Sequence, residues 1–422
     1  MKPTLVNLGL GTRHLEFPLG PTLEWDVLEP DPGEGTGSSS VMAILEDVLS
    51  APPAAGARVV IVVPDLTRPA PVRETLSRLV EALERRGVAR ERQALLVASG
   101  THAAPASEAL HQAWDIPRAL ALHVHDALTP GVALGSTRAG TPVEIDERYS
   151  RADWRITLGG VSFHYFAGFG GGPKMVFPGL ASRDGTAANH KLTLAPWPPG
   201  GLARGCAPGV VSGNPVAEDI AEAAARAPAQ ASIHVVARSG GWEYYAGEEG
   251  GARAREVVRA RGTVGEAGAY DAVVASAGGA PTDVDVVQAH KALVHAARYA
   301  RAGAPVVLFA ETAGGPGSKS FARWLEIEDP DELERRARSD YDLNAQTAIS
   351  FRTLCERHPV TWVGSRCPRW IRMAGATAID PGPEVERALA GVRGRGAVLP
   401  VATAVVPRDS LDLDRSTGRA AR

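Results

Sequence analysis

The sequence of 422 residues has only three cysteines, Cys206, Cys355 and Cys367, and none of them forms the CxxC spacing of a zinc or redox motif. This sparse, odd number excludes a disulfide framework and fits reduced thiols in the cytoplasm. Apolar runs long enough to span a membrane are also missing. The first residues, MKPT, lack the apolar block of a signal peptide. We therefore expect a cytoplasmic protein that does not enter a membrane.

An excess of charge of one sign is missing too. The chain has 45 basic and 48 acidic residues and a net charge of -3. A nucleic-acid-binding protein would show a basic stripe, so we expect no nucleic-acid partner. The two common glycine-rich phosphate motifs, GxxxxGK[ST] and GxGxxG, are likewise absent.

Apolar runs alternate with helical patterns along most of the chain, which predicts an α/β fold. ARVVIVV, at 57–63, is typical of a buried parallel strand, and a second alternating set begins near Tyr270. A chain of this length exceeds what one core usually holds. We predict two α/β domains with mostly parallel sheets. Their bounds are 1–265, completed by about 395–422, and 266–394.

Polar side chains follow two of the predicted strands, where an open α/β sheet binds its ligands. After the first, Asp65, Thr67 and Arg68 offer a carboxylate, a hydroxyl and a guanidinium before a helix N-terminus, which favours anions. The alternative is a helix cap, but a cap does not need the arginine. After the second, His102 on the glycine turn SGTH is well placed for proton transfer. A histidine that only binds nearby backbone is the alternative there.

The most unusual stretch is HYFAGFGGGPKMVFPG, which begins at His164 and contains Lys174. Glycines let backbone approach a ligand closely. Three of them precede the lysine: Gly170, Gly171 and Gly172. Lys174 would bind a phosphate, or act as a nucleophile if it is desolvated. Because proline precedes this lysine and methionine follows it, the stretch is not a P-loop.

Three pairs of polar residues complete the candidates. Asn189 and His190 fall late on a short helix that Ser182 would cap, where His190 could be a metal ligand. Gln288 and Lys291 lie three apart on one helix face and suit a carboxylate, although a solvated face is the commoner explanation. His123 and His125 share one side of a strand, which is more often a packing pair than a metal site.

In their order along the chain, these pieces resemble the nickel-dependent lactate racemase family. The matching motifs are DLTRP, SGTH, H-x9-K across the glycine-rich stretch, NH sixteen residues after the lysine, and QxxK. They extend over about residues 57–291. Each motif alone is weak, but unrelated proteins rarely carry all five in this order.

The resemblance implies a two-domain α/β fold with the active-site cleft between the domains. It implies a nickel-pincer nucleotide as cofactor (nickel pyridinium-3,5-bisthiocarboxylic acid mononucleotide), loaded by separate cofactor-biosynthesis enzymes. Lys174 would tether it through an amide-type link, and His190 would be the protein ligand to nickel. A square-planar site with soft donors suits Ni(II). Other residues would contact the cofactor: Asp65, Thr67, Arg68, Gly170, Gly171 and Gly172.

The implied activity is that of an isomerase: interconversion of the C2 stereoisomers of a 2-hydroxy acid by reversible hydride transfer. The C2 proton is very weakly acidic, so removal of hydride while a base takes the hydroxyl proton is the easier route. His102 and His164 match the family's acid–base pair, one on each side of the substrate. We expect Arg68, Gln288 and Lys291 to hold the substrate's carboxylate and hydroxyl.

The chain departs from the family at two positions. Relatives that racemise lactate carry a tyrosine before the QxxK motif and an aromatic residue in a C-terminal helix, whereas Val287 and Leu343 stand here. The substrate is therefore lactate or a related 2-hydroxy acid. One alternative function is a non-catalytic protein that binds or carries the nucleotide, although storage needs no acid–base pair. A phosphate-binding hydrolase or transferase is disfavoured because no serine or threonine follows Lys174.

Overall fold

The computed structural model describes residues 4–33 and 37–408. The strands of this part of the chain are β1 (Leu5–Leu10), β2 (Arg13–Pro18), β3 (Leu23–Val27), β4 (Val59–Pro64), β5 (Gln93–Ala98), β6 (Ala121–Val124), β7 (Val132–Ser136), β8 (Pro142–Ile145), β9 (Trp154–Gly160), β10 (Phe163–His164), β11 (Gly168–Phe169), β12 (Ala231–Arg238), β13 (Gly241–Ala246), β14 (Ala272–Ser276), β15 (Val306–Phe309), β16 (Val360–Val363), β17 (Thr377–Ile379) and β18 (Gly394–Leu399).

The helices connect these strands and cover the sheets. They are α1 (Val41–Val48), α2 (Val72–Glu84), α3 (Ser107–Trp114), α4 (Glu147–Ser150), α5 (Arg183–Lys191), α6 (Pro215–Ala224), α7 (Gly247–Gly262), α8 (Val286–Ala297), α9 (Lys319–Leu325), α10 (Pro330–Ser339), α11 (Ala345–Arg357), α12 (Pro368–Met373) and α13 (Pro383–Ala388). Short 3-10 helices lie at Arg90–Arg92, Gly172–Met175 and Ala402–Ala404.

The first six-stranded sheet has the order β13-β12-β9-β4-β5-β6, and only the β12–β13 pair is antiparallel. Both faces are buried. In β4, Val59, Ile61 and Val63 pack with α1, α2 and α3 on one face of the sheet. Val60 and Val62 pack against the elements that cover the other face. The chain moves outward through β5 and β6 on one side of β4 and through β9 and β12 on the other. The carboxyl ends of β4 and β9 therefore form the switch point at which such sheets bind ligands.

The second sheet has the order β17-β16-β15-β14-β18-β3, and all its strands are parallel. Its own switch point, between β14 and β18, is filled by the β1–β2 hairpin. A Cβ on Gly9 would lie 2.6 Å from the backbone of Gly278, so the two chains touch there without side chains. The second sheet thus offers no open crevice at this point. We call each sheet with its covering helices a lobe, the first and the second.

The mixed α/β fold with mostly parallel sheets agrees with the prediction. The strand pairing differs from the expectation that residues from about 395 onward complete the first domain. The final strand, β18, lies between β14 and β3 in the second sheet, not in the first. Its residues Ala397 and Val398 are buried between the two covers of that sheet. Only the segment beyond it returns to the first lobe, where Val406 packs against Val161 and Phe163. Residues 409–422 lie outside the described residues, and the boundary at 265/266 stays a prediction.

Candidate active site

The turn after β4 holds a histidine in place. Thr67 donates from its backbone N and its Oγ1 to Oδ1 of Asp65, at 2.8 and 2.5 Å, which is a turn that a short carboxylate side chain forms readily. The other oxygen, Oδ2, lies 2.7 Å from Nδ1 of His102, which follows β5. Asp65 is 5% exposed. Its carboxylate therefore orients His102, and its contact with a cofactor stays a prediction.

Electrostatics keep this carboxylate charged. Burial alone would raise the pKa of Asp65, but the hydrogen bond and charge of His102, then the charge of Arg68, hold it well below its usual range. An ionised carboxylate only accepts hydrogen bonds, so Nδ1 of His102 carries a hydrogen, and in the neutral ring the lone pair is on Nε2. The side chain of His102 is 37% exposed, which leaves that nitrogen accessible.

The glycine-rich stretch after β9 packs backbone against backbone. A Cβ on Gly171, whose φ is +68°, would lie 2.6 Å from the carbonyl oxygen of Gly160. At Gly172 the nearest atom would be 4.0 Å away, in His234, and at Gly170 the nearest would be Ser162 Oγ at 3.5 Å. Gly171 is therefore needed for the loop's own packing, while Gly170 and Gly172 leave room for a ligand.

One aromatic ring joins the reactive groups of this stretch. The ring of Phe166 meets those of His164 and His190 edge to face, with centroids 4.6 and 5.0 Å apart. The Nζ atom of Lys174 lies over the same ring, 5.7 Å from its centroid. The structure thus brings His164, Lys174 and His190 together, as the sequence predicted, around a phenylalanine that the sequence had not indicated.

Helix α5 places His190. Ser182 caps the helix through its Oγ, which accepts from Gly185 N at 3.3 Å, as predicted. On the far side, Asn189 donates to Oδ2 of Asp219 at 2.8 Å and so anchors the helix to α6. Asn189 therefore fixes the helix and does not reach the site. Burial, then the charges of Lys174, His102 and Lys291, lower the pKa of His190 to about 3, which keeps its imidazole neutral and able to bind a metal.

Helix α8 of the second lobe contributes a polar clamp. Gln288 Oε1 accepts from Arg68 Nη1 at 3.0 Å and from Lys291 Nζ at 2.5 Å. The helix begins after Asp285, whose Oδ1 accepts from Gln288 N at 2.8 Å. One amide oxygen of the second lobe therefore holds together two cations that come from different lobes. The free amide NH₂ of Gln288 remains as a donor.

The cluster gathers basic side chains whose positive charges disfavour one another. Burial and then Arg68 lower the pKa of Lys174 to about 7 and hold that of Lys291 well below its usual value. Burial followed by the charges of Lys174, Lys291 and Arg68 holds the pKa of His164 well below its usual value. No ion pair with a carboxylate involves Lys174 or Lys291 within 4–33 and 37–408. Such a site favours an anionic ligand.

Comparisons with known proteins show what this chain is similar to. Residues 10–198 match the family described as "Lactate racemase N-terminal domain". The chain is 30% identical over 284 residues to a lactate racemase of Thermoanaerobacterium thermosaccharolyticum, an alignment that covers 65% of each chain. It is 28% identical over 366 residues to a lactate racemase of Lactiplantibacillus plantarum, covering 82% of this chain and 84% of that one. Over these stretches the chain resembles the lactate racemase family.

Two solved structures share the fold of this chain. The lactate racemase apoprotein from Thermoanaerobacterium thermosaccharolyticum superposes with a TM-score of 0.82 at 24% identity, over 96% of this chain and 100% of that chain. A protein from Thermotoga maritima superposes with a TM-score of 0.66 at 18% identity, over 87% and 98%. At these identities the likeness concerns the fold alone.

Other predicted features lie apart from the site. His125 is buried and its two ring nitrogens face Asp146 Oδ2 and the carbonyl of Ala181, each at 3.0 Å, so it serves packing. His123 is only half-buried on β6. Among the described residues, no helix is both long and apolar enough to cross a membrane, and no group of three or more His, Cys, Asp and Glu could hold a metal ion.

Proposed function

We propose that this protein is a racemase or epimerase of a 2-hydroxy acid, lactate or a related acid. The observation that carries the proposal is the grouping of a carboxylate-held histidine, His102, with a second histidine, His164, beside an anion clamp from both lobes. The relatives named lactate racemase support the same reaction. Three cysteines that are free in the structure fit the cytoplasm, which we propose as its location.

The residues present fit a nickel-pincer nucleotide. Lys174 has an amine whose pKa of about 7 leaves a large neutral fraction, as attachment to an acyl group requires. His190 offers a neutral imidazole as metal ligand, and Gly170 and Gly172 leave room beside the backbone. When bound, the group supplies a hydride acceptor; separate cofactor-biosynthesis enzymes would load it.

The clamp would bind the substrate. Arg68 presents a guanidinium to a carboxylate, and the negative charge of that carboxylate would favour the protonated form of Lys291 beside it. The amide NH₂ of Gln288 can donate to the hydroxyl or the carboxylate. Because Arg68 belongs to the first lobe and the other two to α8, the clamp is complete only when the lobes are together. A fixed carboxylate is what allows C2 to present hydrogen in the same direction in both enantiomers.

The histidines would move the hydroxyl proton. His102 accepts it at Nε2, and Asp65 stabilises the imidazolium that forms. His164 is the counterpart for the mirror-image hydroxyl. Half-buried Val287 and buried Leu343 replace the larger side chains expected at those positions. We therefore include acids larger than lactate in the proposal.

The test is intact-mass and nickel analysis of the chain co-produced with the cofactor-making enzymes, followed by racemisation assays with both enantiomers of lactate and of larger 2-hydroxy acids. We expect a mass gain at Lys174, about one nickel per chain and activity on at least one acid. Lys174→Arg is the control for attachment, and His102→Ala and His164→Ala should each abolish racemisation in both directions. An unmodified, nickel-free chain contradicts the proposal, and a loaded chain without activity on any acid identifies a carrier.

A further inference from the structure

The two histidines of the site are held at the same ring nitrogen by partners of opposite kind. Nδ1 of His102 faces an acceptor, Oδ2 of Asp65, at 2.7 Å. Nδ1 of His164 faces a donor, the backbone N of Ala167, at 3.2 Å. In a neutral imidazole one nitrogen donates and the other accepts, so the partner at Nδ1 decides the state of Nε2.

The partner of His102 is fixed as an acceptor. Asp65 is buried, and its second oxygen already receives two hydrogen bonds from Thr67. The carboxylate has no hydrogen to give, so His102 must place its own on Nδ1. Nε2 of His102 is then bare and can accept a proton.

The partner of His164 is fixed as a donor. The Ala167 amide belongs to the turn between β10 and β11, and its hydrogen can only be given, never taken. His164 must therefore keep the lone pair on Nδ1 and the hydrogen on Nε2. An imidazolium would place a second hydrogen against that of Ala167, and the nearby cations Lys174 and Lys291 disfavour it further.

We infer that the two histidines rest in opposite tautomers, so that in the free protein only His102 can act as a base while His164 presents an N–H donor. The inference extends the proposed function, and its structural part stands without it. Asp65 and the Ala167 amide are the positioning groups.

For the reaction, this means that the two enantiomers of the substrate meet histidines in different proton states. The substrate whose hydroxyl faces His102 would give its O–H proton directly to Nε2, which leaves His102 protonated. The oxidised cofactor, when bound, would supply the acceptor for the C2 hydride, so that a 2-keto acid would be the product. For the mirror image, His164 can accept a proton at Nε2 only after its hydrogen has moved to Nδ1. That change breaks the hydrogen bond from Ala167, so this direction includes a ring or loop adjustment.

One substitution separates orientation from charge. In Asp65→Asn, the two donors of Thr67 require the amide oxygen, which turns the amide NH₂ toward His102. His102 Nδ1 must then accept, and its hydrogen moves to Nε2. The variant thus gives both histidines the same tautomer without changing the size of the side chain.

The test is nitrogen NMR of the full-length protein labelled with ¹⁵N-histidine, without cofactor. His102→Gln and His164→Gln identify the two rings by loss of their signals. We expect a protonated, pyrrole-type Nδ1 and a bare, pyridine-type Nε2 for His102, and the reverse for His164. In Asp65→Asn the two nitrogens of His102 should exchange types while His164 stays unchanged, and racemisation by the loaded variant should fall roughly 10³- to 10⁴-fold.

A protonated Nδ1 at His164 in the unsubstituted protein overturns the inference. So does a His102 ring that keeps its type in Asp65→Asn while the variant remains folded. The result is independent of the proposed function: opposite tautomers in a protein that is loaded but inactive would refute the function alone. Identical tautomers in an active racemase would refute the inference alone.

Discussion

Among single residues, the cations of the site are the most informative. Lys174, Lys291 and Arg68 lie close enough for each to affect the pKa of His164. The nearest carboxylates are committed elsewhere, Asp65 to His102 and Asp285 to the start of α8. Gathering cations away from water is costly unless an anion joins them. The residues themselves therefore indicate a ligand with a carboxylate or phosphate.

The low pKa of Lys174 has a measurable consequence at this scale. Burial, then Arg68, lowers it to about 7, so the amine is protonated below pH 7 and neutral above it. Acylation of Lys174 in the cofactor-free chain should therefore rise with a midpoint near pH 7, as measured by peptide mass spectrometry after brief labelling. Arg68→Gln should move the midpoint to higher pH because it removes a repelling charge, and Lys174→Arg should remove the signal. A midpoint above about pH 9 would contradict the assigned environment.

The residues that the sequence singled out are those with reactive side chains, and their roles stay predictions. The motifs DLTRP, SGTH and QxxK indicated a binding site by their residue types, and the structure brings their side chains together. Phe166 was missed because an aromatic residue in an apolar stretch looks like ordinary core. The hydrogen bond between Asp65 and His102 was not foreseen because it joins two strand ends 37 residues apart.

Among the elements, the strand with the continuous apolar run was predicted, whereas two neighbouring strands of the same sheet were not. β4 follows the predicted run at 57–63 to within two residues, and β14 begins near Tyr270, where the second alternating set was predicted. β12 and β13 were missed, although β12 is buried in the first sheet. His234 interrupts the apolar pattern of β12, and it is accommodated because Gly251 of α7 lies against its ring. Such a compensation depends on a partner helix and is not visible locally.

The glycine-rich stretch offers a matched pair of substitutions. Gly171 and Gly172 both have positive φ, +68° and +56°, so alanine strains the backbone at either position by about 1–2 kcal/mol. Only at Gly171 does the added Cβ also meet backbone, the carbonyl of Gly160 at 2.6 Å. Gly171→Ala should therefore lower the free energy of unfolding by roughly 1–3 kcal/mol more than Gly172→Ala, measured by denaturant unfolding. Equal losses would show that the loop can move away from β9.

At the scale of the whole molecule, the lobes meet through polar contacts that converge near the site. Tyr165, next to His164, shares a hydrogen bond of 2.9 Å with Thr347 at the start of α11. Asp342, just before that helix, pairs with Arg183 of α5 and with Arg323 of α9. The two pairings between the lobes, like the return of β18 beside β3, join residues at least 159 positions apart and have no local signature in the sequence. The segment before α11 therefore connects the second lobe to the helix that carries His190.

The two arginines around Asp342 allow this connection to be tested. Arg183→Gln removes the pair that joins the lobes, whereas Arg323→Gln removes a pair within the second lobe to the same carboxylate. Arg183 is the first residue of α5, where a cation is unfavourable to the helix dipole, so loss of its charge alone would not loosen the helix. We expect amide hydrogen exchange across α5 to quicken about fivefold in Arg183→Gln, as a loss of roughly 1 kcal/mol implies, and to stay unchanged in Arg323→Gln. Equal exchange in both variants would mean that α5 is held by the first lobe alone, through Asn189 and Asp219, and that the position of His190 does not depend on the second lobe.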